Sequence, residues 1–128
     1  DYLKKSNLEH IDDPRQKLIK ALHCNLQFII ENKKLIQFIY TESKYLDKKH
    51  LRIVLKMDDN NVIGFWRSLL GGLKKPKSVK GDLDFLASLI AYLVVFLPLR
   101  GWTLRERPTR KNVDSSVDFI LRGLGVME

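Results

Sequence analysis

Apolar positions recur along this chain at spacings of three and four residues, the period of a helix laid against a core. After Asp12-Asp13-Pro14, the residues Leu18, Leu22, Leu26 and Ile29 fall on one face, flanked by Ile19, Phe28 and Ile30. An acidic pair followed by proline is a helix start, and the stripe runs out near Glu31-Asn32. A second stripe begins at about Lys34, where Leu35, Phe38, Ile39, Glu42 and Leu46 share a face. From Asp47 to Leu73 a single stripe (Leu51, Val54, Leu55, Asp58, Val62, Phe65, Trp66, Leu69, Leu73) keeps its phase across Asp58-Asp59-Asn60-Asn61. Those four are poor helix formers, so either the helix is distorted there or it is two helices with a short break; the unbroken phase favours one long helix, with Gly71-Gly72 weakening its end. No run alternates with the period of a strand. The predicted fold class is all-α, an antiparallel bundle of about five to six helices.

Residues 85–99 break the one-stripe rule by being apolar on every face. A helix that touches only its own domain needs one apolar stripe; one that is apolar all round must be covered on all sides. The run is shorter than the ~20 residues a bilayer crossing requires, and Pro98 interrupts its end. Gly81-Asp82-Leu83-Asp84 opens it, with Asp82 or Asp84 as cap. At about 100° per residue its large side chains (Phe85, Leu89, Tyr92, Leu93, Phe96) gather on one side and its small ones (Ala87, Ser88, Ala91, Val94, Val95) on the other. The small side permits close approach of another helix, which makes it the expected subunit contact. The bulky side is expected to face a core or a pocket.

Past a basic turn, the last helix is expected to be capped by Thr109. Val113, Val117, Ile120, Leu121 and Leu124 point inward, and Ser115, Ser116, Phe119 and Gly123 line a second face. Gly123 and Gly125 close it. Two consecutive helices that each carry a second coverable face are what a homodimeric four-helix bundle needs.

The 128 residues suit one domain, large enough to fold without metal or disulfide staples. The lone Cys24 excludes a disulfide framework and favours a reducing cytosol, as a small buried hydrophobe rather than a nucleophile. No signal peptide is visible at the amino terminus. A formal charge of +8 concentrates in Lys74-Lys75-Pro76-Lys77-Ser78-Val79-Lys80 and in Arg100 to Lys111. Both read as loops, either solvated or attracting something anionic. His10, His23 and His50 show no ligand spacing, so no metal site is expected. There is neither a phosphate-cradling glycine loop nor a nucleophile elbow, so no catalytic residue, cofactor or enzyme activity is expected.

Taken in order, Asp12-Asp13-Pro14-Arg15-Gln16-Lys17-Leu18, Phe38-Ile39-Tyr40-Thr41-Glu42, the long helix, Gly81-Asp82-Leu83-Asp84, Arg100-Gly101-Trp102 and the closing Phe119-Ile120-Leu121-Arg122-Gly123-Leu124-Gly125 form a pattern. It resembles the C-terminal ligand-binding and dimerisation domain of TetR-type transcriptional regulators, over nearly the whole chain. The family's N-terminal helix-turn-helix has no counterpart here. The resemblance implies that residues 1–11 are the tail of a helix linking to that DNA reader and that residues 12–128 form the sensor. It implies a cytoplasmic homodimer joined through its last two helices, with no membrane partner. DNA would be bound only through the missing domain, and a small apolar or amphipathic effector would act on a repressor; the positive charge of the chain, apart from the resemblance, mildly favours an anionic one.

Stripe position then nominates pocket residues: Phe28, Phe38, Trp66, Tyr92 and Phe96 as apolar walls, and His23, Glu42, Tyr45 and Asp58 as polar handles. For Glu42 the alternative is a solvated edge position, and for the aromatics an ordinary core role. Two other functions compete. The basic loops suit a helical module that binds nucleic acid directly, although few aromatics interleave with the bases. The all-apolar helix suits a partner- or membrane-surface-binding protein.

Overall fold

A computed structural model describes residues 8–42, 45–73 and 83–126, with the backbone alone for Asp58 and Asp59. All described secondary structure is helical. A 3-10 turn, Leu8–His10, precedes α1 (Pro14–Glu31), α2 (Lys33–Glu42), α3 (Lys48–Asp58), α4 (Gly64–Gly71), α5 (Leu83–Arg100) and α6 (Thr109–Gly123). A π-helical stretch, Asp59–Ile63, joins α3 to α4 without a break. The long stripe therefore belongs to one continuous helix, and its distortion falls on the Asp-Asn run. The basic segment 74–80, Gly81, Asp82 and the first seven residues lie outside the described residues.

Local chemistry sets the ends. Pro14 opens α1 and the Asp13 carboxylate accepts the Arg15 backbone N–H at 3.4 Å. At the α1–α2 junction the Asn32 side chain donates to the Phe28 carbonyl at 2.9 Å. At the end of α6, Gly125 takes φ 72°, a left-handed conformation that glycine adopts without strain. Its N–H bonds to the Arg122 carbonyl, and that of Val126 bonds to the Leu121 carbonyl, the pair of bonds of a Schellman motif.

The described part of residues 1–11 is a 3-10 turn anchored by fully buried Leu8. One expectation needs correction here. Thr109 is the first residue of α6, not its cap; Pro108 takes that position, and its carbonyl accepts from Lys111 and Asn112. Of the two cap candidates for α5, Asp82 lies outside the described residues, and Asp84 sits inside the first turn, where it pairs with Arg67 of α4.

The core is continuous. Leu18, Ala21, Leu22 and Leu26 of α1 meet Trp66, Leu69 and Leu70 of α4, the α5 positions Ala87, Ile90, Ala91, Val94 and Val95, and Val113, Val117, Ile120 and Leu121 of α6. The inward stripe expected for α6, Leu124 included, is buried as drawn. The α5 expectation is inverted. Its small side, with Ala87, Ala91, Val94 and Val95, lies inside the chain's own core and is closed to a second subunit. Much of its bulky side is in water: Phe85 is 64% exposed, Leu89 43% and Tyr92 50%, while Leu93 and Phe96 are half-buried. The reason is packing distance. Helix α5 contacts α1, α2, α4 and α6, and only small side chains let several neighbours approach one axis closely. The Gln37 side chain of α2 also reaches α5, donating to the Pro98 carbonyl at 2.8 Å.

Candidate functional site

The end of α5 shapes a region where the chain opens into two cavities beside charged groups. Pro98 offers no N–H to the helix ladder. The Gly101 N–H still bonds to the Leu97 carbonyl at 2.9 Å. At this turn a β-carbon on residue 101 would lie 2.5 Å from that carbonyl oxygen, so only glycine fits. The turn sends the chain into a second 3-10 segment, Trp102–Leu104, where Arg100 stacks over the Trp102 ring at 4.1 Å. Leu104 is half-buried, and α6 then runs back along α5.

Two adjoining chambers result. The first, about 280 Å³, lies between α5 and α6; Leu93, Phe96 and Leu97 form one wall, Phe119 and Ile120 the other, and Leu104 contributes between them. The second, about 210 Å³, lies on the far side of Leu104 and is lined by Lys33 from the start of α2, by Arg105, Arg107 and Thr109, and by Pro98 and Gly101. Leu97, Leu104, Arg107 and Asn112 line both. The first chamber is almost wholly apolar and the second is cationic. No aspartate or glutamate is among the lining residues of either.

Asn112 is held at this junction. Its side-chain N–H donates to the Leu104 carbonyl at 3.2 Å, and its own carbonyl accepts from the Ser116 hydroxyl at 2.9 Å. Its Oδ1 is buried with no hydrogen-bond partner. A buried acceptor without a donor is costly in a folded protein.

The residues nominated from sequence are scattered. Phe96 lines the apolar chamber; of the pocket candidates it alone touches either cavity. Trp66 is 1% exposed and belongs to the core. Phe28, Phe38, Tyr45 and Tyr92 are large exposed hydrophobics on other surfaces, and Glu42 is exposed at the end of α2, which matches its solvated-edge alternative. His23 and Cys24 are half-buried along α1, away from both chambers. The Asp58 side chain lies outside what is described. From the set proposed for a subunit contact, Ser115, Ser116 and Phe119 line the apolar chamber. Ser88 and Gly123 are exposed.

Arg105, Arg107, Leu104 and Asn112 were not individually nominated from sequence. The available signal was a basic run directly following an all-apolar helix; it indicated charge but not that the run folds back over that helix. Outside this region, the Asp47 carboxyl lies below its ordinary carboxylate pKa because it accepts the His50 backbone N–H and bonds to the His50 ring at the start of α3. Among the described residues no group of three or more His, Cys, Asp or Glu side chains is placed to hold a metal ion.

Comparison of the chain with protein-family models, curated proteins and solved structures finds no match.

Proposed function

We propose that the chain is the sensor and dimerisation domain of a TetR-type transcriptional regulator, acting as a repressor whose DNA affinity falls when a small amphipathic effector binds. The observation that carries the reading is the apolar face that α5 and α6 leave in water. Phe85, Leu89 and Tyr92 project from α5, and Phe119 is 66% exposed on α6. Large contiguous apolar patches on a folded domain mark interaction sites. Two antiparallel helices presenting such a face to a symmetry mate make an isologous four-helix contact, in which every residue acts twice. The face differs from the one first expected on α5, but the pair of helices is the same.

In this reading the effector biases one arrangement of the bundle, and the shift reaches a DNA-reading domain attached ahead of α1. Sedimentation velocity in detergent-free buffer tests the dimer. Promoter-DNA gel shifts with the full-length gene product, with and without effector, test the regulation. A chain that stays monomeric at high micromolar concentration refutes the dimerisation reading.

A second reading rests on one observation. Helix α5 spans 18 residues with a mean hydropathy of 1.8 and is long and apolar enough, by length and composition, to cross a membrane; one-third of it is buried. Partition of the chain into lipid vesicles, together with a monomer in their absence, would favour that reading over the dimer.

A further inference from the structure

We propose that the two adjoining chambers form a single site for an amphipathic anion, a medium-length acyl chain ending in a carboxylate. The tail occupies the space between α5 and α6, and the head is held by Arg107, Arg105 and Lys33. This deepens the sensor reading and relies on it only for the consequence of binding, not for binding itself.

Three observations converge. First, the chambers differ in chemistry and share a wall. The tail space is walled mainly by leucine, isoleucine and phenylalanine side chains and is half open, while the head space collects three cationic side chains from two separate segments. A ligand with one apolar end and one anionic end satisfies both; a neutral apolar molecule leaves the cations unused, and a cation is repelled. Ligand sites are typically built this way, with apolar walls and a few polar groups that fix orientation. Second, the lining holds no carboxylate that would neutralise the cations internally. Third, size limits the occupant. At about 30 Å³ for a group the size of a water molecule, the 280 Å³ of the tail space holds about nine such groups. That suits the alkyl part of decanoate. Arg107, which lines both chambers, stands where the carboxylate must turn from one into the other.

The site also sits beneath the face assigned above to the second subunit, since Phe119 lines the tail space and is largely exposed. Uptake of a tail and closure of that face therefore act on the same side chain.

Isothermal titration of the chain with decanoate, decanol and decyltrimethylammonium tests the proposal. Decanoate is expected to bind most tightly and the cation not at all. Arg107→Ala is expected to weaken decanoate by about tenfold or more, the scale of a lost hydrogen bond to a charged group, and to leave decanol little changed. Arg107→Glu is expected to reverse the preference toward the cation. Ser115→Trp, which fills the tail space from its exposed rim, is expected to weaken decanoate and decanol alike. Circular-dichroism melts of each variant confirm folding, and Arg107 is exposed, so its replacement leaves the core intact. Equal affinity for decanoate and decyltrimethylammonium, no uptake of decanoate, or decanoate binding unchanged by Arg107→Ala would overturn the site. Decanoate binding with this selectivity to a chain that sediments only as a monomer would instead uphold the site and refute the dimeric sensor.

Discussion

Replacing Phe119 by glutamate separates the proposed subunit contact from the fold. The ring is 66% exposed. A fully exposed phenylalanine presents about 200 Å², so about 130 Å² of this side chain remains in water. Covering that area at about 25 cal/mol per Å² contributes about 3 kcal/mol. In an isologous dimer each copy buries the same residue, which doubles the contribution to about 6 kcal/mol, or about four decades in the dissociation constant at about 1.4 kcal/mol per decade. The carboxylate adds a desolvation cost in the same direction. The monomer should lose at most about 2 kcal/mol, since only about 70 Å² of the ring is covered within the chain, at about 25 cal/mol per Å².

Sedimentation equilibrium over a concentration series measures the association constant, and far-UV circular dichroism verifies the helix content. Phe119→Glu should be monomeric at concentrations where the parent is dimeric, with an unchanged spectrum. Met57→Glu is the control. It removes a 56% exposed hydrophobe from α3, an element that takes no part in the α5–α6 face, and should associate like the parent. A Phe119→Glu chain that dimerises as tightly as the parent would place the contact elsewhere and refute the reasoning. A dimer lost in Met57→Glu but kept in Phe119→Glu would locate it on α3.

Other substitutions test the fold and its pH response. Trp66→Ala removes a core ring that is 1% exposed; a loss of about 3–5 kcal/mol is expected, read as a lower urea midpoint. Gly125→Ala puts a β-carbon on a residue at φ 72° and should cost about 1–2 kcal/mol, seen as a lower melting temperature. Gln37→Leu breaks the bond to the Pro98 carbonyl and leaves a part-buried acceptor unpaired; a loss of about 1–3 kcal/mol is expected by urea denaturation. The Asp47 carboxyl is held below its ordinary range by the His50 N–H and ring. A lowered folded-state pKa gives stability that is present above the unfolded carboxylate pKa and is lost as pH falls through the folded one. Asp47→Ala should therefore destabilise at neutral pH and approach the parent in acid, measured by thermal melts across that range.

The sequence carried most of the helical framework because its signals are local. Asp13-Pro14 starts α1, Asn32 interrupts the run between α1 and α2, and the stripe through Trp66 and Leu69 predicted one long helix, whose Asp-Asn centre became a π stretch rather than a break. Each depends on spacings of a few residues. The candidate site was much less legible. Its tail space combines α5 with α6, and its head space adds the start of α2, so Lys33 and Arg107 meet across more than seventy positions. Periodicity placed Phe38 and Ile39 on an apolar face without revealing that the face is uncovered.

Helix α5 shows where that limit comes from. A helical wheel divides its residues into a small side and a bulky side, and both are apolar enough to be buried. Which one turns inward depends on the number of neighbours, which no local pattern encodes. Against a single partner helix, either side would serve, and the bulky one would remove more surface from water. Against α1, α2, α4 and α6 together, bulky side chains would hold the neighbours apart and leave voids between them, and lost contacts in such voids are costly. Ala87, Ala91, Val94 and Val95 let them close on the axis. The fold thereby leaves Phe85, Leu89 and Tyr92 without cover, so the packing that stabilises one chain also creates the apolar face proposed to receive the second.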